Sequence, residues 1–442
     1  MIVTRYALAL KDGLNIGTLR LVLANAMLAH GAGGRFQLRL KDGDSPVGDD
    51  DKSVTSDLSW LGLKWDDVLR ESECRRSHEA ATETLMTGGR LYPCFESEEE
   101  LLVKHELRIR RNQPQIYDRA MLALTAEQRS VAEAGGKRPH WRFKLSDREV
   151  TWRDQVLGRK RLSLASMSDP VVIAADGRID PSLIACIDDL ATDVSHVIAS
   201  EDQLKTSVIQ MDMLTALGGN PGSIAFAHLP PLHTADSGRL ARRFHTTTLR
   251  QFRNDGVEAA ALLSYLATVG TTIEAEPKAY EALASAFDLK RIAAGSAPVE
   301  IGALLALNRQ ILQSLNFEAV QERLPSGATA AFWNAIRGNL DLMAEARGYW
   351  DVVAGTIVPP VIEGERAFLR TALRELPAEP WSDLVFPQWT EALRAETGRD
   401  GSSMLLPLRL ALTGEEHGPD LTSLLPLIGR ARAIQRLEIA AN

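Results

Sequence analysis

The short segment from Asn15 to Thr18 has residue types that can bind phosphate. It joins a strand-like stretch over residues 2–9 to a stretch with helical spacing over residues 17–30. Free backbone N–H groups at a helix N-terminus, together with the helix dipole, can hold an anion. Asn15 can donate a hydrogen bond to a phosphate oxygen, and Gly17 lets the backbone come close. An asparagine here also suits a turn residue that caps the following helix, so capping is the alternative interpretation.

A second group of positive charges follows a Thr-Ala-Asp-Ser-Gly turn, at Arg239, Arg242 and Arg243. Arginine is a planar donor that matches phosphate geometry. A solvated charged run is the ordinary interpretation of three close arginines. A phosphate or RNA contact is the alternative.

A basic stripe lies on a predicted helix that begins after Ser97, with three glutamates in its first turn. Its members are Lys104, Arg108, Arg110 and Arg111. A solvated helix face and an RNA-contacting face both agree with this charge pattern.

Metal chemistry is not indicated by the spacing of the cysteines or of the paired acids. Cys74, Cys94 and Cys186 lack a Cys-x-x-Cys pair. Asp188 and Asp189 are adjacent, and adjacent acids usually cap a helix or pair with nearby bases. We therefore expect half-buried or buried thiols, with no disulfide, no zinc and no other metal.

Composition predicts a protein with several hydrophobic cores. The chain has 442 residues, 45% of them hydrophobic, and a formal net charge of −8. This charge argues against nonspecific nucleic-acid binding over the whole surface, although a local basic face remains compatible with it. The sequence contains no 18-residue uncharged apolar run, and its start predicts a strand rather than a signal peptide. We expect a cytoplasmic protein without a membrane partner.

The remaining elements are expected to position these residues. Glycines at 31–34 predict a loop before a strand over residues 35–40, and a helix should reach Trp60. The chain should return to the same sheet through residues 170–174 and 194–199. Beyond Arg243, apolar spacing in residues 259–269 and 299–312 predicts an all-helical second half.

An ordered series of motifs carries a resemblance to a known family. The motifs are Asn15-Ile-Gly17-Thr18, Gly33-Gly34-Arg35-Phe36 through Asp44, Trp60-Leu-Gly-Leu-Lys-Trp65, Leu91-Tyr-Pro-Cys-Phe95, Pro139-His-Trp-Arg-Phe143, Ile187-Asp188-Asp189, Val197-Ile198-Ala199-Ser-Glu201-Asp202, Arg239-Leu-Ala-Arg242-Arg243 and Leu412-Thr-Gly414-Glu-Glu-His417-Gly418-Pro419. In order and approximate spacing, the chain resembles bacterial glutamyl-tRNA synthetases of class I, especially the second copy that many alphaproteobacteria carry.

The resemblance implies a fold and a domain order. The expected fold class is an α/β Rossmann-type class I synthetase catalytic domain with an inserted acceptor-end-binding domain, followed by all-helical domains. The catalytic domain would comprise residues 1–73 and 166–240, and the insertion residues 74–165. A stem-contacting helical domain over 241–320 and an anticodon-binding helical domain over 321–442 would follow.

The same resemblance assigns the nucleotide site. It makes Asn15 and Arg242 the candidate catalytic residues, at the positions of a phosphate-binding histidine and a mobile-loop lysine. It assigns ATP binding, with Mg²⁺, to Asn15, Gly17, Thr18, Arg242 and Arg243. Asparagine cannot carry the charge of an imidazolium, so we expect weak ATP binding.

The amino-acid pocket departs further from the family. It should hold Arg5, Lys41, Pro181 and Ala199, where family members have arginine, an acid, tyrosine and arginine. Lys41 would repel a substrate ammonium group. The missing arginine and phenol remove charge-assisted hydrogen bonds to the substrate carboxylate.

Three functions agree with these residues. The first is a diverged paralogue that has lost glutamyl-tRNA charging and keeps tRNA binding, with Arg108 and Arg111 as contacts. The second is an ATP-dependent ligase that activates a different acid for transfer to tRNA or to a small-molecule amine. The third is a conventional glutamate–tRNA ligase. None of the three implies a DNA partner.

Overall fold

The computed structural model describes residues 1–9, 13–42, 49–234 and 247–442. The chain separates into two compact units. The first unit comprises residues Met1–Arg250 and Leu263–Ile301, and the second comprises Gln251–Leu262 and Gly302–Asn442.

The first three hundred residues contain both strands and helices. They are β1 Val3–Ala9, α1 Ile16–Gly31, β2 Arg35–Lys41, α2 Asp49–Trp60, β3 Asp67–Arg70, α3 Arg75–Thr87, β4 Leu91–Cys94, α4 Glu98–Arg110, α5 Ala126–Ala134, β5 His140–Phe143, β6 Glu149–Asp154, β7 Gly158–Ser163, β8 Val171–Ile173, α6 Pro181–Ala191, β9 His196–Ser200, α7 Leu204–Ala216, β10 Ala225–Leu229, β11 Leu232–Thr234, α8 Leu249–Asp255, α9 Ala259–Thr268, α10 Tyr280–Ala286 and β12 Ala297–Val299. The predicted strand and helix at the start are confirmed as β1 and α1.

Parallel strands form the centre of the first unit. β1, β2 and β3 make one parallel sheet, and β9 and β10 pair in parallel in another. The two sheets meet where β1 and β9 begin, because Ser195 N–H donates to the carbonyl oxygen of Val3 at 3.0 Å. In such sheets the crevice at the carboxyl ends of the strands is the usual place for a ligand. Asn15 ends the connection that follows β1, and Ile16, Gly17 and Thr18 begin α1.

Helix α1 is apolar on nearly every side, which suits a helix buried against strands. Val22, Leu23 and Ala26 are fully buried. The chain leaves α1 through a tight turn into β2, and a Cβ atom at Gly34 would lie 2.0 Å from the carbonyl oxygen of Ile2. Glycine is therefore needed where β2 comes alongside the start of β1.

Residues 91–173 contain an antiparallel sheet. Its strand order is β4-β5-β8, and β6 and β7 form a separate hairpin. The expectation that residues 170–174 return to the parallel sheet is wrong, because β8 pairs antiparallel with β5. A short apolar run predicts a buried strand but not its partner, which only packing selects.

The second unit is helical. From Ile301 onward the α-helices are α11 Ile301–Ser314, α12 Phe317–Val320, α13 Ala330–Ile336, α14 Ala346–Ala354, α15 Arg366–Arg374, α16 Val385–Thr397, α17 Ser402–Thr413, α18 Leu421–Ile428 and α19 Arg430–Ala440. Their core includes the fully buried Trp333 and Trp389. The all-helical prediction beyond Arg243 fails at β12, which pairs in parallel with β11. No helix in the described part of the chain is long and apolar enough to cross a membrane.

Candidate active site

The four residues predicted for the amino-acid pocket all line one cavity of about 180 Å³. Arg5 comes from β1, and Lys41 is the last residue of β2. Pro181 is the first residue of α6, and Ala199 belongs to β9. These residues are far apart in sequence, and the packing of β1, β2, β9 and α6 brings them together.

An ion-paired cluster forms the charged wall of this cavity. Asp189 accepts from Nε and Nη2 of Arg5 at 3.1 and 3.2 Å, and it lies 2.6 Å from Nη1 of Arg39. Burial alone would raise the pKa of the Asp189 carboxyl, but the two arginines outweigh burial and hold that pKa below its ordinary value. The pairing does not engage Nη1 of Arg5. Arg5 can therefore still offer a ligand the Nη1 and Nη2 N–H groups that Asp189 does not use.

The structure adds Arg39 and Glu71 to the residues that line the cavity. Arg39 is 2% exposed, although β2 alternates polar and apolar residues along its length. This alternation would place Arg39 on a solvent-facing side, so no signal in the sequence indicates that it is buried and paired. Glu71 precedes α3 by a short 3-10 turn and has no such signal in the sequence either.

Glu71 places a carboxylate in the same cavity as Lys41. Asp42 accepts from the N–H and the hydroxyl of Ser72, at 2.9 and 2.5 Å, and so fixes the turn that carries Glu71. Burial raises the pKa of the Glu71 carboxyl, and the charge of Lys41 acts in the opposite direction. The positive charge of Lys41 therefore has an acidic neighbour that the sequence did not reveal.

A second cavity, of about 570 Å³, lies at the start of α1 and is lined by Asn15 and Gly17. The Oδ1 atom of Asn15 accepts from the Thr18 N–H at 2.9 Å, so the capping interpretation is confirmed. Thr18 is held next to the cavity residues by this cap. Arg242 and Arg243, the other predicted ATP contacts, lie outside the described residues.

Arg20 is a further cation at the second cavity. It is 5% exposed, and it donates to the carbonyl oxygens of Pro230 and Val269 at 2.7 and 3.4 Å. Burial lowers the pKa of its guanidinium to about 10. No carboxylate pairs with Arg20 among the residues described, so its positive charge contributes to the field in this cavity. Sequence analysis missed Arg20 because it falls within the apolar helix α1.

Helix α4 begins as the sequence predicts, with a reciprocal capping box between Ser97 and Glu100. Two of its predicted basic residues are committed to acids: Lys104 pairs with Glu96, and Arg110 lies 3.8 Å from Glu106.

The other two basic residues of α4 are available to a partner. Arg108 donates only to a backbone oxygen, that of Pro114, at 3.2 Å, and Arg111 is exposed at the end of the helix. Neither has an ion-pair partner in the part of the chain that the structure describes. The same helix exposes Leu102, Val103 and Ile109, which is unusual for a helix without a partner.

Comparison with known proteins gives matches over the whole chain. Residues 1–295 match the family described as "tRNA synthetases class I (E and Q), catalytic domain", and residues 362–441 match "Anticodon binding domain". A protein of Gluconacetobacter diazotrophicus named "Glutamate--tRNA ligase 2" is 47% identical over 97% of both chains. A protein of the same name from Acidiphilium cryptum is 48% identical over 100% of both chains.

Among solved structures, the glutamate-tRNA synthetase of Elizabethkingia anophelis superposes with a TM-score of 0.82 at 20% identity. The match covers 100% of this chain and 99% of the other. At this low identity the likeness concerns the fold, which is the expected α/β catalytic domain followed by helices.

Proposed function

The chain belongs to the class I tRNA synthetases of the glutamate and glutamine type, and we propose that it binds tRNA but no longer attaches glutamate to it. The observation that carries this proposal is the cavity that contains Arg5, Lys41, Pro181 and Ala199. Two of these positions present no polar side chain, and Lys41 has the wrong charge for a substrate ammonium group.

The energetic argument rests on the lost hydrogen bonds. Each charge-assisted hydrogen bond missing from a desolvated pocket costs about 1.5–3 kcal/mol. The absence of an arginine and a phenol therefore weakens glutamate binding by roughly two to four decades. Arg5 remains, but its charge is partly neutralised by Asp189, so it does not replace the missing arginine and phenol.

We propose ATP with Mg²⁺ as the cofactor, since the class normally uses both. The second cavity, with Asn15 and Gly17, would receive the triphosphate, and Thr18, Arg242 and Arg243 would complete the site. The Oδ1 atom of Asn15 accepts the hydrogen bond that caps the helix, so the amide N–H₂ of Asn15 would donate to the phosphate. We expect weak binding, because this donor is neutral.

The tRNA partner follows from a family with an anticodon-binding domain. We propose that Arg108 and Arg111 contact the tRNA acceptor end through phosphates. We also propose the four-part division into residues 1–73 with 166–240, 74–165, 241–320 and 321–442.

A second candidate function is activation of a different acid as its adenylate, for transfer to tRNA or to a small-molecule amine. Glu71 favours this candidate, because it returns a carboxylate to the cavity close enough to Lys41 for their charges to interact. Conventional glutamate–tRNA ligation is the third candidate, and the names of the full-length relatives favour it.

Pyrophosphate exchange and tRNA binding separate the three functions. We expect no glutamate-dependent exchange and no charging of tRNA(Glu), whereas robust charging would support the conventional ligase. Exchange with another acid from a panel would support the second candidate. An unrelated tagged protein purified in parallel controls for contaminating host synthetase.

Filter binding to total tRNA tests the retained activity. Binding should weaken as salt rises, and each lost phosphate contact should lower the salt slope by about 0.7–0.9. The double variant Arg108→Glu/Arg111→Glu should show this loss, whereas Arg178→Glu, at an exposed arginine paired with Asp176, should not. If no tRNA binds at low salt while an acid and a free amine are joined with ATP consumption, the small-molecule ligase is correct.

A further inference from the structure

Three potential metal ligands of different types meet between α3 and α6. Cys74 lies at the N-terminal end of α3, His78 lies one turn further along it, and Asp188 belongs to α6. One ligand atom from each residue lies within 4.8 Å of the other two. Residues four apart share a face of a helix, so Cys74 and His78 can serve one ion.

The carboxylate of Asp188 is only partly satisfied. One oxygen lies 2.7 Å from Nε2 of His78. The other oxygen is buried and has no hydrogen-bond partner among the described residues. Asp188 is 3% exposed, so this oxygen is not solvated at the surface. Buried polar atoms without a partner are rare, and an ion or a water molecule is a common reason for one.

A simple structural role does not explain the whole cluster. A histidine–aspartate hydrogen bond accounts for His78 and for one oxygen of Asp188. It accounts neither for the nearby thiol of Cys74 nor for the second carboxylate oxygen. Asp189, the adjacent acid, pairs with Arg5 and Arg39, and among the described residues neither arginine forms an ion pair with Asp188.

The types of ligand select the class of metal. Magnesium and calcium prefer oxygen ligands, whereas zinc is bound by thiolate, imidazole and carboxylate in a tetrahedral set. Zinc–ligand bonds of about 2.0–2.3 Å place neighbouring ligand atoms roughly 3.3–3.6 Å apart. Zinc binding would bring the ligand atoms of Cys74, His78 and Asp188, which lie within 4.8 Å of one another, to this spacing.

We propose that Cys74, His78 and Asp188 bind one zinc ion, with a water molecule as the fourth ligand. Zinc would use the unsatisfied oxygen of Asp188 and would join α3 to α6. Asp188 also lines the cavity that contains Arg5, but zinc binding does not require this cavity to accept glutamate. Neither the cysteine spacing nor the adjacent aspartates indicated this site. Asp188 is 110 positions from His78, and only the fold brings the two residues together.

The test uses the full-length chain after treatment with a chelator. Calorimetric titration with ZnCl₂ should give one ion per chain, and zinc should raise the Tm because it binds only the folded site. Titration with CoCl₂ should give the absorption of tetrahedral cobalt together with a thiolate charge-transfer band. Absence of zinc binding, or an unchanged Tm with saturating zinc, would overturn the proposal without any variant.

Matched variants assign the ligands. Cys74→Ser, His78→Gln and Asp188→Asn should each weaken zinc binding by more than the roughly 10- to 100-fold that loss of an outer-shell partner costs. Cys94→Ser and His105→Gln change the same residue types elsewhere and should bind zinc like the wild type.

The cobalt spectrum provides the sharpest distinction. Cys74→Ser should lose the thiolate band, whereas Cys94→Ser should retain it. A thiolate band that persists in Cys74→Ser would overturn the assignment of the sulfur ligand. Cys74 is only partly buried, so this conservative change should leave the fold intact, as circular dichroism can verify.

Discussion

The two cavities of the first unit obtain their polar groups from different parts of the chain. The cavity with Arg5 depends on charged side chains that pair largely with one another. The cavity with Asn15 lies at a helix N-terminus, where the first backbone N–H groups have no intrahelical acceptor. A single substitution can reverse a side-chain charge, whereas backbone donors survive most substitutions. Substitutions can therefore change a cavity built from side-chain charges while backbone donors at a helix N-terminus are retained.

The largest expected effect is a loss of stability at the cavity with Arg5, which depends on side-chain charges. Asp189→Asn should lower the free energy of unfolding by about 3–5 kcal/mol, because it leaves Arg5 and Arg39 buried without their shared acid. Urea denaturation would measure the loss. Asp176→Asn removes an exposed acid paired with Arg178 and should change stability by less than about 0.5 kcal/mol. Equal effects of the two substitutions would show that the buried cluster is not a stabilising feature.

Restoring the family residues should alter selectivity in the same cavity. The triple variant Lys41→Glu/Pro181→Tyr/Ala199→Arg should improve glutamate binding by roughly 100-fold, because it returns two charge-assisted hydrogen bonds. Calorimetry with glutamate, and with glutamine as the neutral control ligand, would measure the gain. Adding Arg5→Gln should reverse part of it. If the triple variant folds but does not bind glutamate, the backbone of the pocket has also diverged.

The smallest expected effect concerns Asn15, in the cavity at the N-terminus of α1. Asn15→Ala removes the cap of α1 and should cost about 1 kcal/mol of stability. Asn15→Asp keeps a capping oxygen but adds a negative charge, so it should weaken Mg-ATP binding more than it weakens the fold. Fluorescence titration with a nucleotide analogue and thermal unfolding would separate these two effects.

Asn316 provides the matched control for this experiment. It caps α12 in the second unit, where its side chain accepts from the Ala319 N–H at 3.1 Å. Asn316→Ala and Asn316→Asp should change stability to a similar degree and leave Mg-ATP binding unchanged. Equal losses of Mg-ATP binding at both positions would contradict a nucleotide role for Asn15.

Much of the local structure could be predicted from the sequence. Apolar spacing and capping residues identified β1, α1, β2 and the start of α4, because these features act between near neighbours. The pairing of β8 with β5 was not predictable in the same way. A three-residue apolar strand can pair with the edge of more than one sheet. Which edge it joins depends on the packing of all the strands around it.

The candidate site shows the same division. The resemblance to the family placed Arg5, Lys41, Pro181 and Ala199 in one pocket, and the structure places all four around one cavity. The resemblance gave no indication of the residues that pair with these four. Asp189 is 184 positions from Arg5, and nothing in either local sequence links them.

The sequence by itself determined β1, α1 and β2, the caps of α1 and α4, and the substituted positions of the pocket. Tertiary structure alone decided which charges neutralise one another and which buried atoms lack a partner. His78 and Asp188 are separated by 110 positions, and only the packing of α3 against α6 brings them to 2.7 Å. The physical reason is that capping and periodicity act over a few residues, whereas electrostatic pairing in a core depends on the positions of all surrounding elements.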